Sequence, residues 1–170
     1  MKIMVSACLL GENCKYNGGN NRNEKVLKYI EGHEVIPVCP EVMGGLPTPR
    51  IPSEIRGNLV INREGIIVDK EFRKGAKDAF DIALSEHVDL IILKAKSPSC
   101  GTKQIYDGTF SKTLMDGQGI FASMLLEAGI PFKDEDDIEK EMEKETLEWK
   151  YLWYKRNGFR KEHPLYRIYR

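Results

Sequence analysis

Residues 89–95 read DLIILKA, with four consecutive apolar side chains, Leu90, Ile91, Ile92 and Leu93, before Lys94 and Ala95. An apolar run this short and unbroken predicts a strand buried on both faces, as in a parallel sheet with helices on each side. The flanking segments supply the helices. DKEFRKGAKDAFDIALSEHV at 69–88 places Phe72, Ala76, Ala79, Phe80, Ala83 and Leu84 on one helical face, with Asp69 as its N-cap. GQGIFASMLLEAGI at 117–130 predicts a helix, and IPF at 130–132 the edge of a further strand.

The amino-terminal part repeats the alternation. Residues 2–7 predict a short buried strand, 8–23 a polar loop, and NEKVLKYIEG at 23–32 a short helix through Val26, Leu27 and Ile30, stopped at Gly32. EVIPV at 34–38 is the second strand. Alternating strands and helices imply a three-layer α/β fold with a mainly parallel sheet. Residues 39–57 hold four prolines and three glycines, and are expected to contain no regular element. NLVINREGIIVD at 58–69 predicts a hairpin turning at Arg63-Glu64-Gly65, and 97–116 a long Gly/Ser/Thr loop. A last helix over roughly 135–157 forms a C-terminal extension. The division expected is 1–140 for the α/β domain and 141–170 for a helix and tail.

At 170 residues, 41% hydrophobic and 31% charged, the chain is long enough for a proper core and ordinary enough to be soluble. No apolar run approaches the roughly 18 residues that span a bilayer. MKIMVSACLL is too short in its apolar part for a signal peptide, so the cytoplasm is expected. Four cysteines in a reducing compartment point to metal binding or catalysis more than to disulfides. The net charge of zero hides an asymmetry: 134–148 is strongly acidic, whereas 149–170 carries seven Lys and Arg against one Glu, with seven of the fifteen aromatics. That tail has the composition of an RNA-stacking segment. An amphipathic helix packed on the domain accounts for it with fewer assumptions.

Three cysteines fall at expected strand ends: Cys8 after the first strand, Cys39 after the second, and Cys100 in the loop after DLIILKA. Ligands of open parallel sheets gather outside the carboxyl ends of the strands. Three thiolates there can hold a metal or iron–sulfur centre and leave one coordination position open for substrate. Each alone is equally a small buried hydrophobe; their shared placement favours one site. No C-x-x-C pair occurs, and none of His33, His87 and His163 lies in these motifs. Cys14 sits mid-loop and is expected to stand outside the site. Glu41, two residues beyond Cys39, is the candidate acid or base, against a mere loop carboxylate. Ser97 and Ser99 flank Pro98 before Cys100 and are candidates to hold substrate or relay a proton, against local turn bonds. Arg50, Lys94 and Lys96 are candidates to offset thiolate charge or hold an anion; strand-end lysines also commonly just face solvent.

The motifs SACLLG…YNGG, VCPEVMGGLPTPR, LKAKSPSCG and YDGTFS, spread over about residues 1–132, resemble the thiouracil desulfidase family, formerly a bacterial domain of unknown function. The resemblance implies a Rossmann-like domain whose [4Fe-4S] cluster is held by Cys8, Cys39 and Cys100, with the fourth iron open to a thiocarbonyl sulfur. It implies proton handling by Glu41 and by a serine of SPSC, Ser97 being favoured over Ser99. The activity implied is non-redox removal of sulfur from a thiouracil-type nucleobase, with release of hydrosulfide. Two other functions stay open: a zinc-thiolate hydrolase at the same three cysteines, and a binding module for thiolated nucleobases or RNA that uses the tail. A dinucleotide-binding domain is disfavoured, because no G-x-G-x-x-G follows the first strand.

Overall fold

The computed structural model describes residues 1–157. In chain order the elements begin with β1 (Lys2–Ser6), a 3-10 turn (Ala7–Leu10), α1 (Glu24–Tyr29), β2 (Glu34–Val38) and α2 (Pro40–Met43). A hairpin of β3 (Ser53–Arg56) and β4 (Leu59–Asn62) precedes α3 (Asp69–Ser85) and β5 (Leu90–Leu93). The chain continues through β6 (Gln104–Tyr106), β7 (Leu114–Asp116), α4 (Ile120–Glu127), β8 (Phe132–Asp134) and α5 (Glu135–Asn157).

Four strands form one parallel sheet in the order β2-β1-β5-β8. Side-chain alternation sorts its core into two layers. Met4, Ile91 and Leu93 face Ala76, Ala79 and Ala83 of α3 and Phe121, Ala122 and Leu125 of α4. Ile3, Val5, Leu90 and Ile92 face the opposite way, onto Val26 of α1 and Ile138 of α5. The result is the three-layer α/β arrangement that the continuous apolar run in β5 predicts. Pro37 is tolerated because β2 is the edge strand, where a missing N–H on the outer side breaks no ladder bond. At the other end, α5 runs on without interruption past residue 140 and is tied to α1 by Lys25, which pairs with Glu139 and Glu143. No helix among the described residues is long and apolar enough to cross a membrane.

Local expectations required correction where short-range signals compete. The proline-rich stretch 39–57 does hold regular structure, because Pro40 sits at the first helical position, where no N–H is needed, and Pro52 stands just before β3. The main hairpin turns at Gly57-Asn58, with Gly57 at φ +63°, so β4 pairs backward with β3. The Arg63-Glu64-Gly65 turn supports only a single bridge, Ile61 to Ile67. Residues 97–116 are not all loop, since β6 and β7 pair antiparallel. In α3, Val68 is the N-cap; Asp69 lies inside the first turn, accepting from the Val60 amide at 3.1 Å and from Arg73 Nε at 2.6 Å. Leu84, expected on the buried face, is 52% exposed, because the α3 face narrows to Ala79 and Ala83 near its end.

The SPSC loop is held by α4. The first amides of that helix find carbonyl acceptors outside it: Ile120 N–H donates to Pro98 O and Phe121 N–H to Ser99 O, both at 2.9 Å. Those bonds satisfy donors that a helix start otherwise leaves orphaned. Gly119 admits this approach, since a Cβ there would fall 2.5 Å from the Ser99 carbonyl carbon. Residues 158–170, and with them the end of the basic-aromatic tail, lie outside the described residues.

Candidate active site

Sheet order puts Cys8, Cys39 and Cys100 beyond the carboxyl ends of the adjacent strands β1, β2 and β5. All three line one cavity of about 370 Å³. Cys8 sits in the 3-10 turn, where its carbonyl accepts from the amides of Gly11 and Asn21. Cys39 is the N-cap of α2, so its sulfur lies near the Val42 amide. Cys100 is 4% exposed and follows the turn in which Ser97 Oγ accepts from the amides of Ser99 and Cys100, each at 3.1 Å.

The four thiols differ in acidity. Cys39 is lowered to about 7, chiefly by a hydrogen bond from Cys14, against burial, with the Val42 amide and Arg50 assisting. Cys8 is lowered for the same first reason, with Asn21 and Lys94 contributing. Cys14 is correspondingly raised, because its proton is held between the Cys39 and Cys8 sulfurs. Burial pushes Cys100 up to about 12, opposed by hydrogen bonds from Ser6 and Ser99. Cys14, expected to stand apart, is therefore inside the cavity and in contact with two of the three predicted thiols. Its mid-loop position gave no periodic signal from which that could be inferred.

Glu41 lines the same cavity from the first turn of α2. Its Oε2 accepts from Arg50 Nε at 2.7 Å, and its Oε1 from Ser99 Oγ at 3.2 Å. Ser99 Oγ lies 3.0 Å from Ser97 Oγ, which makes a hydroxyl chain ending at the carboxylate. Ser99 Oγ also stands 3.5 Å from Cys100 Sγ, and its one proton serves either that sulfur or Glu41. Ser99 is buried, whereas Ser97 is half-buried at the cavity wall.

The three basic candidates separate. Lys94 donates to Glu135 and to its own neighbour's carbonyl, Ala95 O, at 3.1 Å. Arg50 is committed to protein acceptors through each of its three nitrogens. Lys96, exposed and at φ +63°, lines the cavity without an ion pair among the described residues. Lys15, Tyr16, Arg63, Tyr106 and Lys112 complete the basic and aromatic part of the wall; their spacing carries no motif.

Three thiols facing one cavity from three strand ends are a donor set that suits an iron–sulfur core with one open corner. Among the described residues no group of three or more His, Cys, Asp or Glu is gathered to hold a single metal ion.

Comparison with known proteins gives the family of the chain. The 2-thiouracil desulfurase family model matches residues 3–137. The uncharacterized protein YbbK of Bacillus subtilis (strain 168) is 35% identical over 146 residues, which cover 80% of this chain and 97% of that protein. The solved structure of a [4Fe-4S]-dependent thiouracil desulfidase, TudS, superposes with a TM-score of 0.77 at 38% identity, covering 86% of this chain and 98% of its own. With most of its length matched and the cysteine-lined cavity at the strand ends, the chain belongs to the 2-thiouracil desulfurase family.

Proposed function

We propose that this protein removes sulfur from a thiolated small molecule of the thiouracil type, by a non-redox route that depends on a [4Fe-4S] cluster held by Cys8, Cys39 and Cys100. The observation that carries the proposal is the meeting of three strand-end thiols and the Glu41–Ser99–Ser97 chain in one cavity. When bound, the cluster supplies a Lewis-acidic iron for the thiocarbonyl sulfur. Glu41 orients a water and takes its proton as the oxygen joins the carbon that carried sulfur. Ser97 faces the substrate and, through Ser99, passes protons between the ring and Glu41. Water supplies the product oxygen, sulfur leaves as hydrosulfide, and no electron is gained or lost overall. Lys96 is the cation we assign to substrate or a bound anion, because Lys94 and Arg50 are committed elsewhere.

The domain boundary we propose at residue 140 falls inside α5, where the family match has ended at 137 while the helix continues to Asn157. Four free thiols suit a reducing compartment, and we assign the protein to the cytoplasm. The deciding experiment is anaerobic preparation, followed by metal analysis and by turnover of 2-thiouracil read as hydrosulfide release. Iron with a matching amount of acid-labile sulfide, plus turnover, supports the proposal. One zinc per chain with turnover points to the zinc-thiolate hydrolase. No turnover, with salt-sensitive RNA binding lost on deleting 149–170, points to the binding module.

A further inference from the structure

We infer that Arg50 is a positioning residue for this site, holding the Glu41 carboxylate and the Cys14 loop in one frame rather than binding substrate. The inference rests on the desulfidase proposal above. Glu41 sits on a helix of four residues, too short to restrain a side chain by itself. Its orientation comes from two contacts on opposite oxygens, Arg50 Nε at 2.7 Å and Ser99 Oγ at 3.2 Å. The Arg50 side chain is 6% exposed and that of Glu41 14%, so neither charge is satisfied by water and each requires the other.

The remaining donors reach a different part of the chain. Arg50 Nη2 donates to Cys14 O at 2.9 Å, and the Arg50 amide donates to Tyr16 O at 2.7 Å. Nη1 closes its own loop through Pro47 O at 3.3 Å and Thr48 Oγ1 at 3.2 Å. One planar guanidinium thus fixes the carboxylate and the backbone that carries Cys14, whose thiol lines the same cavity as Cys8 and Cys39. A lysine ammonium carries the charge without the rigid fork that reaches these partners together. With all three nitrogens engaged, the side chain does not need a substrate anion to complete it.

Arg50→Gln and Arg50→Lys, prepared anaerobically with cluster, provide the first test, with 2-thiouracil as probe. The expected result is a kcat reduced on the order of 10²-fold, with KM within about two-fold of wild type and with iron and sulfide content retained. A KM that rises while kcat holds would make Arg50 a substrate ligand. Loss of the cluster would make it a support for the metal centre. Either result overturns the inference. A second readout needs neither cluster nor substrate: urea unfolding of the cluster-free wild type, Arg50→Gln, Glu41→Gln and the double variant. Contact between the two predicts that the double variant shifts the midpoint by clearly less than the sum of the single shifts. Additive shifts refute the Arg50–Glu41 contact itself, whatever the enzyme does. A wild type with cluster but inactive on 2-thiouracil instead removes the desulfidase proposal beneath the inference, even if the urea cycle is non-additive.

Discussion

Gly44 and Gly75 bring α2 and α3 into backbone contact: a Cβ on Gly75 would lie 1.7 Å from the Pro40 carbonyl oxygen, and one on Gly44 1.9 Å from that of Glu71. This approach seats the turn bearing Cys39 and Glu41 on α3, which covers one face of the sheet. Gly75→Ala gains about 1 kcal/mol of helix propensity. Forcing α2 away costs about 3 kcal/mol. The clash wins, so a net loss of about 2 kcal/mol is expected in urea unfolding, with slower turnover because Glu41 moves. Unchanged stability and rate would contradict the contact.

On the proposed ligand set of three thiolates, substituting Cys8, Cys39 or Cys100 with Ala is expected to abolish both the brown chromophore and activity. Cys14→Ser is expected to keep the iron, since in the proposed arrangement its thiol stands beside Cys8 and Cys39 without completing the set. Iron and sulfide per chain after anaerobic reconstitution measure both. Loss of iron in Cys14→Ser would make Cys14 a ligand.

In reduced, cluster-free protein the thiols should alkylate in a defined order. The thiolate is the reactive form, so a lowered pKa means reaction already at neutral pH and a raised one means reaction only in strong base. Cys39, lowered to about 7, should gain reactivity as pH rises through that value. Cys100, buried and pushed up to about 12, should remain unmodified across the neutral range. Iodoacetamide labelling from pH 5 to 9, read by peptide mass spectrometry, measures the order; Cys100 labelling first would contradict it.

Glu41→Gln removes the proposed proton acceptor while keeping the side-chain size. Turnover should fall about 10²- to 10⁴-fold with the cluster retained. Ser97→Ala should fall further than Ser99→Ala if the cavity-facing hydroxyl is the one that meets substrate. Steady-state rates on 2-thiouracil for the three variants settle the order, and a wild-type rate for Glu41→Gln would remove its assigned role.

Glu135 anchors the start of α5 to the strand end of the site, accepting from Lys94 and, at 2.7 Å, from the Ala95 amide. Glu135→Ala takes the carboxylate from a partly buried ammonium, which keeps Ala95 O, and leaves a buried amide without its acceptor, a loss of about 2 kcal/mol. Thermal or urea unfolding checks it. A change within about 0.5 kcal/mol would show that water replaces the carboxylate at no cost.

Residues at short range determined much of this protein by themselves. Four apolar positions in a row at 90–93 suffice for a strand covered on both faces, and alanines recurring at helical spacing for the α3 face. The long motifs around the cysteines likewise carry the family resemblance without reference to the fold. Tertiary structure decided what local signals do not encode. Whether Pro40 breaks the chain or opens a helix depends on its position relative to the helix start, and the hairpin register depended on which of two glycine turns found a partner strand. Ser99 meets Glu41 across 58 residues and Arg50 meets Cys14 across 36, distances over which no periodicity survives. Only the parallel order β2-β1-β5 brings those segments to one end of the sheet, and with them the fourth thiol, expected outside the site, and the arginine whose partners the sequence does not reveal.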